Sequence, residues 1–253
     1  MIVYEAMVES TGELRVFRTT EQQEQERRDR AAFLGGIFAA GGRMAFNFKN
    51  QTKSHAGIER KYSYAYPVIT FADANSKKID KLKEMFGGRV KVKHKDEKSF
   101  TWYLQSGNTV EFARALLGFC PNREEMIMAF ENWENVNVEE QLRVAKDFKN
   151  TEVPKAEDYK NLVRNPQFLA GVLTARGGLS NAFRRGSPRE TVLFFSSTNK
   201  QLAMALKQEY GAGIMPVGEK SNQTTFGEAA TTRILELIQD HLLVPLQDLP
   251  EDE

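Results

Sequence analysis

The chain has 253 residues, 41% of them apolar, which suits one large domain or two small ones and excludes an intrinsically disordered chain. A single cysteine, Cys120, excludes a disulfide framework, and three scattered histidines without a second cysteine argue against the common zinc spacings. The single cysteine leads us to expect an intracellular protein of a reducing compartment, either the cytoplasm or the interior of a mitochondrion or plastid. No apolar run approaches the roughly 20 residues of a membrane helix, so we expect no membrane partner. The net charge is +1.

Hydrophobic periodicity predicts the elements of the first half in chain order. Residues 1–30 form an N-terminal extension with a charged helix, and AAFLGGIFAAGG (31–42) is a helix that ends at its glycines. The segment GRMAFNFKN alternates as a half-buried strand does. The remaining elements are a strand at AYPVITFAD, a helix at SKKIDKLKEMF, strands at RVKVKHK and SFTWYLQ, and helices at TVEFARALLGFC and NREEMIMAFENW.

The second half repeats the first. FLGGIFAAGG (33–42) aligns with FLAGVLTARG (168–177), and NSKKIDKLKEMFGG (75–88) aligns with NKQLAMALKQEYGA (199–212). An internal duplication of this kind fixes the architecture as two similar units. We therefore divide the chain into the extension 1–30, a first repeat 31–140, a polar linker 141–164, a second repeat 165–247 and an acidic tail 248–253.

This order of elements, repeated around a helix of the form LxGxxxAxG, resembles the LAGLIDADG homing endonuclease family in its single-chain, two-repeat form. The resemblance implies an α+β fold of two pseudo-symmetric αββαββα repeats, each with a four-stranded, mainly antiparallel sheet. It also implies that the two sheets form a saddle over nucleic acid. The chain would then be a monomer with an internal pseudo-dimer.

In that family the two motif helices pack against each other on the pseudo-two-fold axis. The small residues of both helices support this use, because they allow close backbone approach. Each interior glycine costs about 1 kcal/mol of helix propensity relative to alanine, so without a packing gain four glycines in eight positions would be unfavourable. The predicted interface residues are Gly36, Ala40, Gly171 and Ala175.

The family cuts DNA with an acid at the penultimate position of each motif, and here those positions hold Gly41 and Arg176. No Asp or Glu occurs from residue 30 to 58 or from 159 to 189. Since Mg²⁺ prefers oxygen ligands, we expect no metal, no other cofactor and no catalytic residue. Arg176 either contacts a phosphate or interacts with the dipole at its helix C-terminus. By the resemblance, Arg123 occupies the place of a family lysine near the active site.

The basic residues are unevenly placed. From residue 41 to 100 there are 14 Lys or Arg against 6 Asp or Glu, whereas from 201 to 253 there are 3 against 9. Alternation in GRVKVKHK puts four cations on one strand face, which predicts an anionic partner. The alternative is an edge strand that uses lysines to prevent aggregation. The predicted nucleic-acid-binding residues are Arg43, Asn47, Lys49, Arg89, Lys91, Lys93, Lys95, Thr101, Tyr103, Gln105, Arg123, Arg176, Arg184 and Arg185.

These patterns lead to one functional hypothesis and two alternatives. The hypothesis is a protein that is not an enzyme and that binds nucleic acid without cutting it, with structured RNA favoured over DNA, as a maturase-like factor or ribonucleoprotein component beside other proteins. The first alternative is a site-specific DNA endonuclease whose catalytic acids lie elsewhere in the chain. The second is a protein-interaction scaffold, which the acidic tail and small net charge favour.

Overall fold

The computed structural model describes residues 5–8, 14–17, 20–55, 58–93, 99–105, 107–121, 123–148, 155–182, 190–217, 221–242 and 246. A hairpin of β1 (Glu5–Val8) and β2 (Leu14–Phe17), which the sequence analysis does not predict, comes first. The first half follows. It consists of α1 (Thr20–Ala40), β3 (Arg43–His55), β4 (Ile58–Asp73), α2 (Ser76–Phe86), β5 (Arg89–Lys93), β6 (Ser99–Gln105), α3 (Gly107–Ala115) and α4 (Glu124–Glu131).

The second half repeats this order after two connecting helices, α5 (Val138–Asp147) and α6 (Ala156–Lys160). It consists of α7 (Pro166–Arg176), β7 (Gly177–Ala182), β8 (Glu190–Ser197), α8 (Lys200–Tyr210), β9 (Gly213–Val217), β10 (Ser221–Thr225) and α9 (Glu228–Ile238). The repeat extends to helix ends. Asn75 and Asn199 cap α2 and α8 with their side chains, and Gly87 and Gly211 end the same helices with positive φ, as helix-terminating glycines do.

Each half contains an antiparallel four-stranded sheet with the same topology. The strand orders are β3-β4-β6-β5 and β7-β8-β10-β9. One face of each sheet packs on the helices, and in the first half that inner face holds Ile69, Phe71 and Trp102, which are at most 1% exposed. We call the face turned away from the helices the outer face. The predicted α+β fold of two αββαββα repeats is confirmed.

Helices α1 and α7 lie against each other in the core. A Cβ added to Gly36 would overlap the carbonyl oxygen of Phe168, and one added to Gly171 would overlap that of Phe33. Backbone therefore meets backbone at this crossing, and Ala40 and Ala175 are buried beside it. The helix α1 begins at Thr20, well before residue 31. Its residues 21–30 are charged residues or glutamines and largely exposed, whereas residues 31–40 are all buried.

The described residues of the segment predicted as a polar linker, 141–164, include most of α5 and all of α6. Helix α5 covers part of β4, and Tyr159 of α6 is fully buried in the main core. A few apolar positions spaced for one helix face are enough to pack an otherwise polar helix. None of the helices in the described parts of the chain is long and apolar enough to cross a membrane.

Candidate nucleic-acid interface

The outer face of the first sheet brings together cations from three strands. Directly opposed residues of antiparallel strands lie on the same side of a sheet. The strand pairing forms one row across all four strands, made of Arg43, Thr70, Tyr103 and Arg89. Lys91 lies opposite Thr101 in the next row. Arg43, Arg89 and Lys91 are exposed, so their charges are available to an anionic partner.

The same face continues along β3 and β4 beyond the four-stranded region. Asn47 pairs with Tyr66, and Lys49 pairs with Tyr64. Among the described strand positions on this outer face, 43–55, 58–73, 89–93 and 99–105, register and alternation place no Asp or Glu. The cations of this face are therefore not neutralised by acids of the same face, and the local potential is positive.

The second sheet differs in chemistry although its topology is the same. Its outer face carries Ser196, Gln223 and Met215 in one row, and Phe194 and Thr225 in the next. The described positions of this face in β7, β8, β9 and β10 hold no Lys or Arg. The cationic surface is thus confined, on the described strands, to one half of the molecule.

A cavity lies where the first motif helix ends. Its volume is about 720 Å³, and its wall includes the last turn of α1, the end of β8 and the start of α8. Its described lining residues include three cations, Arg123, Arg176 and Lys200, with hydroxyl groups around them. Ser196 and Ser221 belong both to this wall and to the outer face of the second sheet, so the cavity adjoins that face.

Arg176 lies directly over Gly41. A Cβ at residue 41 would be 2.7 Å from Nε of Arg176, which means that the guanidinium fills the space a side chain at 41 would need. The two motif positions at which the family resemblance implies acids are therefore in contact. One holds no side chain and the other points a cation across it.

Two polar residues of the wall tie the two halves together. Asn199 Nδ2 donates to the carbonyl oxygen of Ala39 and to the hydroxyl of Tyr159, each at 3.0 Å. Ser197 Oγ donates to the carbonyl oxygen of Ala40 at 3.2 Å. These bonds satisfy carbonyls at the C-terminus of α1 that have no partner within the helix. Second-half side chains thereby fix the position of the first motif helix.

Arg123 is held differently. Its Nε is shut off from solvent and has no hydrogen-bond partner in the described structure. Nearby, burial raises the pKa of the Cys120 thiol to about 12, and burial raises the pKa of Tyr159 to about 12 although the hydrogen bond from Asn199 opposes that shift. Both groups are therefore neutral at physiological pH. The cavity charge comes from its arginines and its lysine.

The family resemblance implies a divalent metal near the motif helices, and the residues present do not fit one. The described residues of the cavity wall include three cations and no carboxylate, whereas Mg²⁺ is bound through carboxylate and other oxygen ligands. No cluster of three His, Cys, Asp or Glu residues able to hold a metal occurs among the described residues. An anion is the ligand that this wall suits.

Most of the predicted binding residues fall into two groups. Arg43, Asn47, Lys49, Arg89, Lys91, Thr101 and Tyr103 lie on the outer face of the first sheet, where Lys93 and Gln105 also occupy strand positions, while Arg123 and Arg176 line the cavity. Lys95, Arg184 and Arg185 lie outside the described residues. The sequence analysis missed Lys200, and it missed Lys53 and Tyr62, Tyr64 and Tyr66, although the alternation in KYSYAY could have indicated the tyrosines.

At the level of sequence, no family model matches the chain and no curated protein matches it. Solved structures do match. A mutant of I-SmaMI is similar with a TM-score of 0.52 and 16% identity, covering 85% of this chain and 84% of that one. The I-SmaMI LAGLIDADG homing endonuclease bound to cleaved DNA has a TM-score of 0.50 and 14% identity, with 83% and 82% covered.

A third match is I-SmaMI bound to an uncleaved DNA target with calcium ions, at a TM-score of 0.50, 16% identity and 85% coverage of both chains. The chain has the LAGLIDADG homing endonuclease fold. The resemblance inferred from the repeated motif is thereby confirmed at the level of fold, over most of the chain. In the LAGLIDADG fold the cavity described above lies at the ends of the two motif helices, α1 and α7.

The same comparison corrects one prediction. The sequence analysis expected a protein that is not an enzyme, and this expectation is wrong as it stands, because the solved structures that share the LAGLIDADG fold are of a homing endonuclease, one of them with cleaved DNA. The expectation depended on the two motif positions and on the lack of Asp and Glu in the segments 30–58 and 159–189 around them. The residues at two positions, Gly41 and Arg176, do not decide whether the whole chain is an enzyme.

Proposed function

We propose that this protein binds nucleic acid, with the outer face of its first sheet as the main contact surface. The observation that carries the proposal is the continuous cationic face of Arg43, Arg89, Lys91, Lys49 and Lys53, which spans β3 and β5 with no acid among its described positions. Exposed cations on one face attract a polyanion and release its counterions. Thr101 and Tyr103, which lie among them, supply hydrogen-bonding and stacking groups.

The central cavity fits a second role in the same binding event. Arginine presents a planar set of donors that matches phosphate oxygens, and lysine adds a point charge. Arg176, Arg123 and Lys200 together would hold a backbone phosphate at the end of α1. Arg123 supports this role because it adds a fixed positive charge to the same wall. The DNA bound to I-SmaMI, which shares the fold, also supports nucleic acid as the ligand class.

The direct test is fluorescence anisotropy of the full chain with a labelled duplex over a range of salt concentrations. We expect the logarithm of the affinity to fall linearly with the logarithm of salt concentration. Lys91→Ala should weaken binding and reduce the salt slope by about 1. The matched control is Met215→Ala, on the outer face of the second sheet, which should leave both quantities unchanged. Binding that is absent at low salt would refute the proposal and favour a protein-interaction scaffold.

The same titration decides between ligands. The structured RNA that the sequence analysis favoured stays a prediction, and we propose it as the preferred form of the ligand. An RNA hairpin and a DNA duplex of equal length and charge should be compared at one salt concentration. Tighter binding of the RNA by about tenfold or more would support this preference, and equal or tighter binding of the DNA would refute it while leaving nucleic-acid binding intact.

A further inference from the structure

The hairpin of β3 and β4 extends past the sheet to which it belongs. Strand β6 pairs with β4 only from Val68 to Asp73. Among the described residues, 47–55 of β3 and 58–66 of β4 therefore pair only with each other, and we call this two-stranded extension the hairpin ribbon. Its outer face continues the cationic face of the first sheet, since the strand register is unbroken.

Three tyrosines occupy alternate positions on the outer face of the ribbon. Tyr62, Tyr64 and Tyr66 lie along β4, and Tyr62 is 45% exposed. The rings of Tyr64 and Tyr66 have centroids 6.1 Å apart. Lysines stand over two of the rings, with Lys49 Nζ 6.0 Å from the centroid of Tyr64 and Lys53 Nζ 5.9 Å from that of Tyr62. The surface therefore alternates aromatic rings with ammonium groups.

The ribbon is attached to the protein through its other face. Ala65 on that inner face is 3% exposed and packs in a cluster with Trp133 and Ala145. Phe46, where the ribbon joins the sheet, stacks on Trp133 with ring centroids 4.7 Å apart. Helix α5 lies against β4 on this side. Because the packing contacts are made there, the tyrosines are not needed to hold the ribbon to the body.

We infer that the outer face of the hairpin ribbon binds an unpaired stretch of nucleic acid, with bases stacked on the tyrosine rings and phosphates near Lys49 and Lys53. Aromatic rings with interspersed cations are how proteins bind single strands, because every base presents a π-face. A paired duplex keeps its bases stacked inside and leaves such rings without partners. Asn47 and Gln51, on the same face, supply amides that can bond exposed base edges.

This inference rests on the proposed function and specifies its ligand as one that joins a duplex to an unpaired segment. The test compares two ligands against the full chain by anisotropy at fixed salt: a blunt 20-base-pair duplex, and the same duplex with a ten-nucleotide oligothymidine extension. The extension should tighten binding of the wild-type protein by about tenfold or more.

The variants separate stacking from charge and from folding. The double variant Tyr62→Ala, Tyr64→Ala should lose most of the gain from the extension, whereas its affinity for the blunt duplex should change much less. The matched variant Tyr62→Phe, Tyr64→Phe keeps the rings, and it should keep the gain. Circular dichroism and thermal unfolding of both variants establish that they fold.

Three outcomes would overturn the inference. If the wild type binds both ligands equally, the ribbon takes no unpaired bases, although the proposed function survives. If the alanine variant loses affinity for both ligands in the same proportion, the rings serve the duplex or the fold instead. If neither ligand binds, the proposed function fails and the inference fails with it.

Discussion

The Gly36→Ala substitution tests the close helix crossing on which the arrangement of both halves depends. The added Cβ would overlap the carbonyl oxygen of Phe168 and would lie 2.8 Å from the backbone nitrogen of Val172, whereas ordinary contact begins at 3.4 Å. Both neighbours are backbone atoms, so no side chain can rotate away, and α1 and α7 must move apart by at least about 1 Å to relieve the overlap with the Phe168 carbonyl.

The size of the effect follows from two opposing terms. Overpacking a well-packed core costs about 3 kcal/mol at the upper end of the usual range. Alanine recovers about 1 kcal/mol of helix propensity relative to glycine. The net loss is about 2 kcal/mol of the free energy of unfolding, which corresponds to a fall in Tm of about 4 to 8 °C for a chain of this size.

Thermal unfolding followed by circular dichroism measures that change. The control is Gly213→Ala on β9, where the added Cβ meets only the carbonyl oxygen of Thr225 at 3.9 Å. It should leave Tm within about 2 °C of the wild type, because surface substitutions without a clash cost little. A Gly36→Ala protein with wild-type Tm would contradict the backbone contact described here.

Two further predictions concern the cavity and its surroundings. In Gly41→Asp the new carboxylate should pair with the Arg176 guanidinium, which can swing aside to admit it. Duplex binding should therefore weaken and its salt slope should fall by about 1. Gly41→Ser is the uncharged control, and tighter binding by the aspartate variant would refute the cavity as an anion site. Burial raises the pKa of Cys120 and of Tyr159 to about 12 from ordinary values of 9.0 and 10.0. Their contribution to the free energy of unfolding is therefore complete below about pH 9 and is lost as the pH rises from 9 towards 12. Urea unfolding at a series of pH values should show this decline. The double variant Cys120→Ala, Tyr159→Phe should flatten this alkaline decline, and an equally steep decline in the double variant would show that other groups cause it.

Strong amphipathic patterns made most of the fold predictable. Val90 and Trp102 alternate with more polar neighbours, and Ile69 lies in a short, largely apolar run, so β4, β5 and β6 were predictable. The duplicated motif then fixed the order of the second half. Glycines at 36 and 171 indicated the helix crossing because small residues at matching positions of two helices allow their backbones to approach closely.

The elements that were missed lack a continuous apolar face. The tips of β3 and β4 read NQTKSH and IERKYS, which are largely polar on both faces, so the apolar periodicity ends within the hairpin ribbon. Helix α5 buries little besides Ala145, and α6 is only five residues long. The segment that contains them therefore looks like a linker in sequence although it packs in the structure.

The cavity was the least predictable part of the site. Arg123, Arg176 and Lys200 come from three elements distant in sequence, and only the folded topology brings them to one wall. Periodicity describes which side of an element a residue occupies and carries no information about which other element it meets. Arg176 was identified through its motif position and Arg123 through the family resemblance, whereas Lys200 had no sequence signal beyond its place at the start of a helix.

The unequal charge of the two sheets makes the two halves of the molecule different, although their topology is the same. The halves are related by a near two-fold repeat, and a symmetric ligand would fit such a frame in either of two directions. With the described outer-face cations all on the first sheet and exposed apolar residues such as Met215 on the second, the two directions differ in energy. A bound strand would therefore favour one of the two directions, and a palindromic target would have no advantage over an asymmetric one.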